Sequence, residues 1–367
     1  MSAPIVSVTM AVCTVERFLA EAIESVLRQS FTDFEFIIVD FGSTDNSKVI
    51  AASYAAKDDR IRLSEIPNCV LPAARNAACA LARGRYIAVM DADDICLPDR
   101  LRWEVEFMEQ HPKVGLLGGA VEWIDDGDRL LGRQDVPCED LEIRSAFITH
   151  CPFWHPTVLV RREALVQAGG YREAFVFAHD YDMELRVADH VDCANLDRVV
   201  LKYRIHPAQV TFRKQGLQTL CKIAAQVSAN SRRECARDPL NGVGEITSSL
   251  LNELGVSEAM QQNALVADCR NWIRAMLAAH EYSSVLHATL KMLDAKLPYV
   301  ERWQMADLYH TVALLYWKKK RFARSFYAET RALVISPAIL GRSLKRLLNR
   351  SRLSGGQDAS QSSSANP

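Results

Sequence analysis

An uninterrupted apolar run, Tyr86-Ile87-Ala88-Val89-Met90, passes directly into Asp91-Ala92-Asp93-Asp94, and this junction constrains the fold more than any other stretch. A strand buried on both faces reads as a continuous apolar run, and such strands belong to parallel sheets covered by helices. Open α/β sheets bind their ligands beyond the carboxyl ends of these strands. Carboxylates crowded at a strand tip repel one another and need either bulk water or a divalent cation. Oxygen-only donors suit Mg²⁺ or Mn²⁺, which take one or two carboxylates and complete their shell with water and phosphate. A solvated acidic turn that caps a helix beginning near Pro98 is the other reading of the same residues.

Around this junction strand-like and helix-like segments alternate, the pattern of an α/β sheet layered with helices. The periodicity predicts strands over residues 5–12, 34–39, 60–63, 86–90, 114–123, 155–160 and 199–205. It predicts helices over 17–29, 73–82, 98–110, 161–168 and 180–189. The strand at 34–39 runs into Asp40, so both long apolar strands deliver an aspartate to their carboxyl ends. The turn Asp40-Phe41-Gly42-Ser43-Thr44-Asp45 offers Ser43 or Asp45 as a cap for the helix that follows. Residues 215–348 carry little but helical periodicity, and 355–367 are rich in Ser, Gln and Gly, as disordered tails are. The expected organisation is an α/β domain over 1–212, a helical extension over 213–352 and a tail over 353–367.

A chain of 367 residues, 49% of them apolar, can bury a substantial core. The net charge of −1 conceals an asymmetry: residues 318–352 hold eleven Lys and Arg against Glu329 alone. The ten cysteines show neither Cys-x-x-Cys nor zinc-ligand spacing, which points to a reducing cytoplasm and away from disulfides and structural metal. No apolar run reaches bilayer-spanning length, and the N-terminus lacks the features of a signal peptide. The basic segment, with an apolar stripe at Leu340, Leu344, Leu347 and Leu348, can lie peripherally on the inner face of the plasma membrane. A packed bundle with a solvated basic face is the competing reading. No nucleic-acid motif accompanies the charge, so nucleic acid is not an expected partner.

Five segments in order then resemble family 2 glycosyltransferases. They are the first helix ending in Glu21-Ala22-Ile23-Glu24-Ser25-Val26-Leu27-Arg28-Gln29-Ser30, the Asp40 turn, Ala74-Arg75-Asn76, the acidic cluster with Leu97-Pro98-Asp99-Arg100-Leu101, and Asp180-Tyr181-Asp182 with the later Tyr203-Arg204-x-His206. The resemblance covers roughly residues 4–210. It implies a GT-A fold, a Rossmann-like, mostly parallel mixed sheet between helices, here with an all-helical C-terminal extension. It implies an inverting, hexosyltransferase-type enzyme that moves sugar from a nucleoside-diphosphate sugar to the hydroxyl of a carbohydrate or lipid-linked acceptor in surface polysaccharide or glycoconjugate assembly. On this resemblance Asp93 holds Mn²⁺ or Mg²⁺, with Asp91 facing the nucleoside or the metal's water shell. Asp40 and Arg75 contact the nucleotide, and His206 reaches the diphosphate or the metal. Asp180 takes the position of the catalytic base. Asp182 and Glu184 compete for that role: Asp182, at i+2 on a helix, points away, while Glu184, at i+4, shares the face of Asp180. His155 is expected to shape the acceptor side or the core.

The chain departs from the family pattern in several places. Ala11-Val12-Cys13-Thr14 stands where Pro-x-Tyr-Asn is common, and Phe41 where a second aspartate often meets the nucleotide base. Cys69 and Val70 replace glycines, and His179 replaces a glutamate before the base. These departures leave a second hypothesis, a catalytically silent nucleotide-sugar fold that serves as a scaffold. A sugar nucleotidylyltransferase is disfavoured because the Gly-rich triphosphate loop after the first strand is missing.

Overall fold

The structure is a computed structural model and describes residues 3–206, 215–278, 282–295 and 297–337. Its contacts divide the chain into two compact units, Met1–Val256 and Ser257–Pro367. The first unit opens with β1 (Val6–Val12), α1 (Glu16–Leu27), β2 (Phe34–Asp40), α2 (Ser47–Ala55), β3 (Ile61–Glu65), α3 (Leu71–Leu81) and β4 (Tyr86–Met90). It continues with β5 (Ile95–Cys96), α4 (Arg100–Gln110), β6 (Val114–Ile124), β7 (Leu130–Gln134), α5 (Asp140–Ala146), a 3₁₀ turn (His155–Thr157), β8 (Leu159–Arg161) and α6 (Arg162–Gln167). Next come α7 (His179–Ala188), β9 (Asp192–Arg204), α8 (Gln215–Cys235) and α9 (Ser248–Glu253).

The strands form one sheet in the order β3-β2-β1-β4-β8-β6-β9-β5, with β7 paired to β6. β3, β2, β1 and β4 run parallel, as do β6 and β9, while β8 is antiparallel to both β4 and β6. The register pairs Val12 with Asp40 and Met10 with Met90, so the loops leaving β1, β2 and β4 emerge side by side. Alternate residues of β2 and β4 serve opposite faces. Ile37, Val39, Ile87 and Val89 join one buried layer, and Phe36, Ile38, Ala88 and Met90 the other. Two covered faces are the reason these strands show no polar alternation.

β5 starts five residues after β4 ends, yet it pairs with the far side of β9, which puts β5 four positions from β4 in the sheet. Five residues reach at most about 18 Å, and four flat strand spacings need about 19 Å. The sheet therefore curls, and Asp91-Ala92-Asp93-Asp94 crosses its mouth.

Several predicted boundaries move. The expected strand over 155–160 is interrupted because Pro156 lacks an N–H, and a 3₁₀ turn precedes the short β8. β9 begins well before residue 199. Its register against β6 jumps from Gly119↔Leu196 to Ala120↔Val199, so Asp197 and Arg198 sit in a bulge that masks the strand pattern. The helix expected from residue 98 starts at Arg100. β7 and α5 had no counterpart among the predicted elements. The compact unit also extends past residue 212, because Cys221, Ala224, Ala225 and Ala229 of α8 enter the same core layer as Ile37 and Val89.

The second unit contains α10 (Glu258–Ala278), α11 (Tyr282–Asp294), α12 (Arg302–Lys318) and α13 (Phe322–Ile335), each packed on the next. Small side chains make the last contact close: Ala306 meets Ala332, and Val312 and Ala313 meet Ala328. The leucine stripe at 340–348, the tail at 353–367 and the basic residues beyond 337 lie outside the described residues.

Candidate active site

Asp40 closes β2, and its Oδ1 accepts the N–H groups of Gly42 and Ser43 at 3.0 and 3.1 Å. Gly42 makes that turn possible with φ +122°. The other oxygen, Oδ2, is buried without a hydrogen-bond partner. Ser43 does not cap α2. Its Oγ accepts the N–H of Thr14 at 3.0 Å, whereas Asp45 accepts Ser47 N–H through Oδ1 at 3.0 Å and Glu16 N–H through Oδ2 at 2.9 Å. The loops after β1 and β2 are thereby stapled to each other. Phe41, at the position where family members often carry aspartate, packs against the core.

At the tip of β4 the three acids have different surroundings. Asp91 Oδ1 accepts Arg75 Nη2 at 2.7 Å, and its side chain keeps 30% exposure. Asp93 Oδ2 accepts His206 Nε2 at 3.0 Å. Asp94 is fully buried, and its Oδ1 accepts the backbone N–H of Arg204 at 2.8 Å. Burial first, and then the charges of Asp93 and Asp91, push the Asp94 carboxyl well above the usual carboxylate range. Asp91 is raised as well, by burial first, with Arg75 opposing and Asp93 and Asp180 adding to the rise.

Arg204 fastens the turn to the end of β9. Its Nε donates to Asp93 O at 2.9 Å and its Nη2 to Glu21 Oε2 at 2.7 Å, and it also bonds Asp128. Beneath the turn Arg100 is buried, bonding Glu104 Oε1 at 2.8 Å, Pro156 O at 2.6 Å and Val89 O at 3.0 Å. Arg100, Glu104 and Arg204 are not among the site residues expected from the sequence, and the structure makes them the scaffold of the turn. The i, i+4 spacing of the first two was the available signal, and it looks the same for a surface pair as for a core one.

Asp180 lies in the first turn of α7, which starts after Ala178, a residue in left-handed backbone at φ 52°. Asp180 is half-buried, and its charge acts on Asp91, Arg75 and Glu184, so acids remote in sequence converge. Its two competitors are committed elsewhere. Asp182, 1% exposed, pairs with Arg172 and, at 2.7 Å, with Arg186. Glu184 is fully buried, its Oε1 hydrogen-bonded to His155 Nδ1 at 2.9 Å and its Oε2 accepting Cys151 Sγ at 2.7 Å. His155 in turn meets the hydroxyl of Tyr171 at 3.1 Å, which makes it part of the buried core around Glu184. Desolvation keeps His155 well below the ordinary histidine range, with Arg75 and His179 contributing.

Arg75 is buried, with Nη2 on Asp91 and Nε donating to His179 Nε2 at 3.1 Å. A guanidinium donor on Nε2 fixes the neutral histidine tautomer with its proton on Nδ1. Burial, reinforced by Arg75, lowers the His179 pKa to about 4. Arg75 therefore links the β4 turn to the start of α7.

Among the described residues no three His, Cys, Asp or Glu side chains cluster closely enough to enclose a metal ion by themselves. Asp91 and Asp93 nevertheless offer carboxylate oxygens on one side, which fits a Mg²⁺- or Mn²⁺-type ion that takes its remaining ligands from water and phosphate.

The family model "Glycosyl transferase family 2" matches residues 7–168. An uncharacterized glycosyltransferase of Methanocaldococcus jannaschii is 35% identical over 210 residues, 56% of this chain and 72% of that protein. The amylovoran biosynthesis glycosyltransferase AmsE of Erwinia amylovora is 31% identical over 200 residues, 53% of this chain and 74% of its own. The O-antigen biosynthesis glycosyltransferase WbnJ of Escherichia coli is 28% identical over 206 residues, 55% of this chain and 80% of its own. A mannosyltransferase of Pyrobaculum calidifontis, solved with GDP-Man and Mn²⁺, superposes with a TM-score of 0.51 at 17% identity, over 91% of this chain and 87% of that one. Its likeness is one of fold, and the fold is GT-A.

The curled, mixed sheet with an acidic turn at its carboxyl edge, together with the sequence similarity to these relatives, defines a glycosyltransferase. The chain belongs to glycosyltransferase family 2.

Proposed function

We propose that this glycosyltransferase is inverting and divalent-metal-dependent. In this reading it transfers a hexose from a nucleoside-diphosphate sugar to the hydroxyl of a carbohydrate or lipid-linked acceptor in surface polysaccharide or glycoconjugate assembly. One observation carries the reading: Asp91, Asp93 and Asp180 keep some exposure at one edge of the sheet, while Asp94, Asp182 and Glu184 beside them are buried.

Asp93 and Asp91 would hold the Mn²⁺ or Mg²⁺, whose chemistry is to stabilise negative charge on the departing diphosphate. The unpartnered Oδ2 of Asp40 is suited to accept an N–H from the nucleotide base, since a buried oxygen left without a donor is costly. His206, beside Asp93, is placed to donate toward the diphosphate. Arg75 acts on the nucleotide through Asp91, which it orients. Asp180 accepts the proton of the acceptor hydroxyl as that oxygen bonds to the anomeric carbon from the face opposite the diphosphate. The carbon–oxygen bond to phosphate breaks, and its electron pair leaves with the diphosphate. Neutral His179 next to Asp180 contributes no cation to tie up that carboxylate.

Two relatives named for amylovoran and O-antigen biosynthesis support the pathway, and the mannosyltransferase holding GDP-Man and Mn²⁺ supports the donor and metal class. The test is calorimetric titration with UDP, GDP and their sugar conjugates, with Mn²⁺ and then chelator, beside Asp93→Ala. The reading expects binding that needs both metal and Asp93, followed by turnover to a product of inverted anomeric configuration. A folded protein that binds none of these nucleotides would be the silent scaffold instead.

A further inference from the structure

The four helices of the second unit stack in series, each on the next. In such arrays the final helix needs a polar outer face to remain soluble. α13 lacks one. Ser325, Ala328 and Ala332 form its buried face, against α12. The opposite face carries Phe322, Phe326, Tyr327 and Val334, with Phe326 77% and Val334 74% exposed. At 3.6 residues per turn these four side chains span an arc of roughly 140°.

The preceding turn extends this face. Trp317, 63% exposed, closes α12 and meets Phe322 edge-on, ring centroids 4.9 Å apart. Lys318, Lys319, Lys320 and Arg321 follow Trp317 into the turn, Arg324 and Arg331 lie on α13, and all six are exposed. Lys318 Nζ donates to Tyr282 OH at 2.8 Å and Lys319 Nζ to Ser283 Oγ at 3.2 Å, so two of the ammonium groups are held in place beside the turn. Glu329 is the single acid from Lys318 to Pro337, and it pairs with His310 at 2.8 Å.

We propose that the outer face of α13, together with the α12–α13 turn, docks on an anionic lipid bilayer. Exposed aromatic rings beside fixed cations match the headgroup region of such a bilayer, where rings insert at the interface and basic side chains meet anionic lipid. The apolar component is the face of α13 and Trp317, a different set of residues from the leucines at 340–348. The inference is independent of the proposed transfer reaction.

The test is co-sedimentation of the full chain with vesicles of phosphatidylcholine alone and with added phosphatidylglycerol. Binding is expected only with the anionic lipid. The variant Lys319→Glu/Lys320→Glu/Arg324→Glu should weaken it about 10²-fold, from the usual contribution per basic residue. Phe322→Ser/Phe326→Ser should weaken it about 10-fold or more, from the lost apolar burial, with the melting temperature unchanged because both rings are exposed. Absence of binding to anionic vesicles, or binding that survives both variants, overturns the proposal. A dimer abolished by the aromatic variant, without vesicle binding, would assign the face to a second copy. A lower melting temperature of that variant, again without vesicle binding, would assign it to a segment of the chain itself.

Discussion

The acidic turn after β4 and the start of α7 contain the same kinds of residue and put them to different uses. In the turn, successive residues point in different directions. Asp91 and Asp93 reach the mouth of the sheet, while Asp94 turns inward to hold Arg204 N–H. In α7 the helix separates the acids by angle and depth. Asp182, two residues on, faces Arg172 and Arg186. Glu184 shares the side of Asp180 but lies about 6 Å further along the helix axis, where it is buried and meets His155 and Cys151. In both places a carboxylate available for chemistry is next to one that holds the scaffold, and only the partners distinguish them.

The strongest test of this contrast is Asp180→Asn. Turnover should fall by about 10²–10⁴, the usual worth of a positioned base, with nucleotide affinity and melting temperature unchanged. A variant that retained turnover would remove the distinction between Asp180 and its neighbours. Asp182→Ala should do the reverse, costing about 3–5 kcal/mol of stability in denaturant titration because buried Arg186 loses its carboxylate partner and half-buried Arg172 is left with Asp238 as its acid. If it unfolds no more easily than the native chain, Asp182 is not an anchor.

His179→Gln gives a smaller, pH-confined effect. The native pKa of His179 is lowered from 6.5 to about 4, so the unfolded chain takes up a proton between these values and the folded chain does not. The neutral ring's contribution, about 3 kcal/mol at most, is complete above pH 6.5 and disappears as the pH falls to 4. Glu184, raised by burial, acts in the opposite direction in both proteins and cancels in the difference. Melting temperatures of native and variant chains should therefore converge in acid. A constant gap from pH 7 to pH 4 would show that His179 titrates normally in the fold.

The sheet was legible because β2 and β4 are buried on both faces and run directly into aspartates, residues that a core strand rejects. That placement marked Asp40, Asp91 and Asp93 as strand-end acids, and the family resemblance supplied the roles expected of them. The first half of β9 was hidden behind the bulge at Asp197 and Arg198, while β8 fell at the end of the strand expected over 155–160 and only its start was misplaced, by Pro156. The division of labour around Asp180 was only half legible. Helix geometry turned Asp182 away, but Arg172, His155 and Cys151 reach α7 from other elements, and no local pattern announces them. The buried pair Arg100 and Glu104 carries no local signal of its burial, because Pro156 O and Val89 O, which also bond Arg100, come from other elements.

The short path from β4 to β5 gives the acidic turn a second identity as the clasp of the curled sheet. Mutual repulsion between Asp91 and Asp93 loads that clasp, and any ligand set that neutralises them relieves it. Fold stability and donor recognition are thus one thermodynamic quantity at this position. A ligand at 100 times its dissociation constant adds about 2.7 kcal/mol to the folded state. Melting curves recorded across a panel of nucleotide sugars with metal would then rank the donors of this enzyme before any acceptor is known.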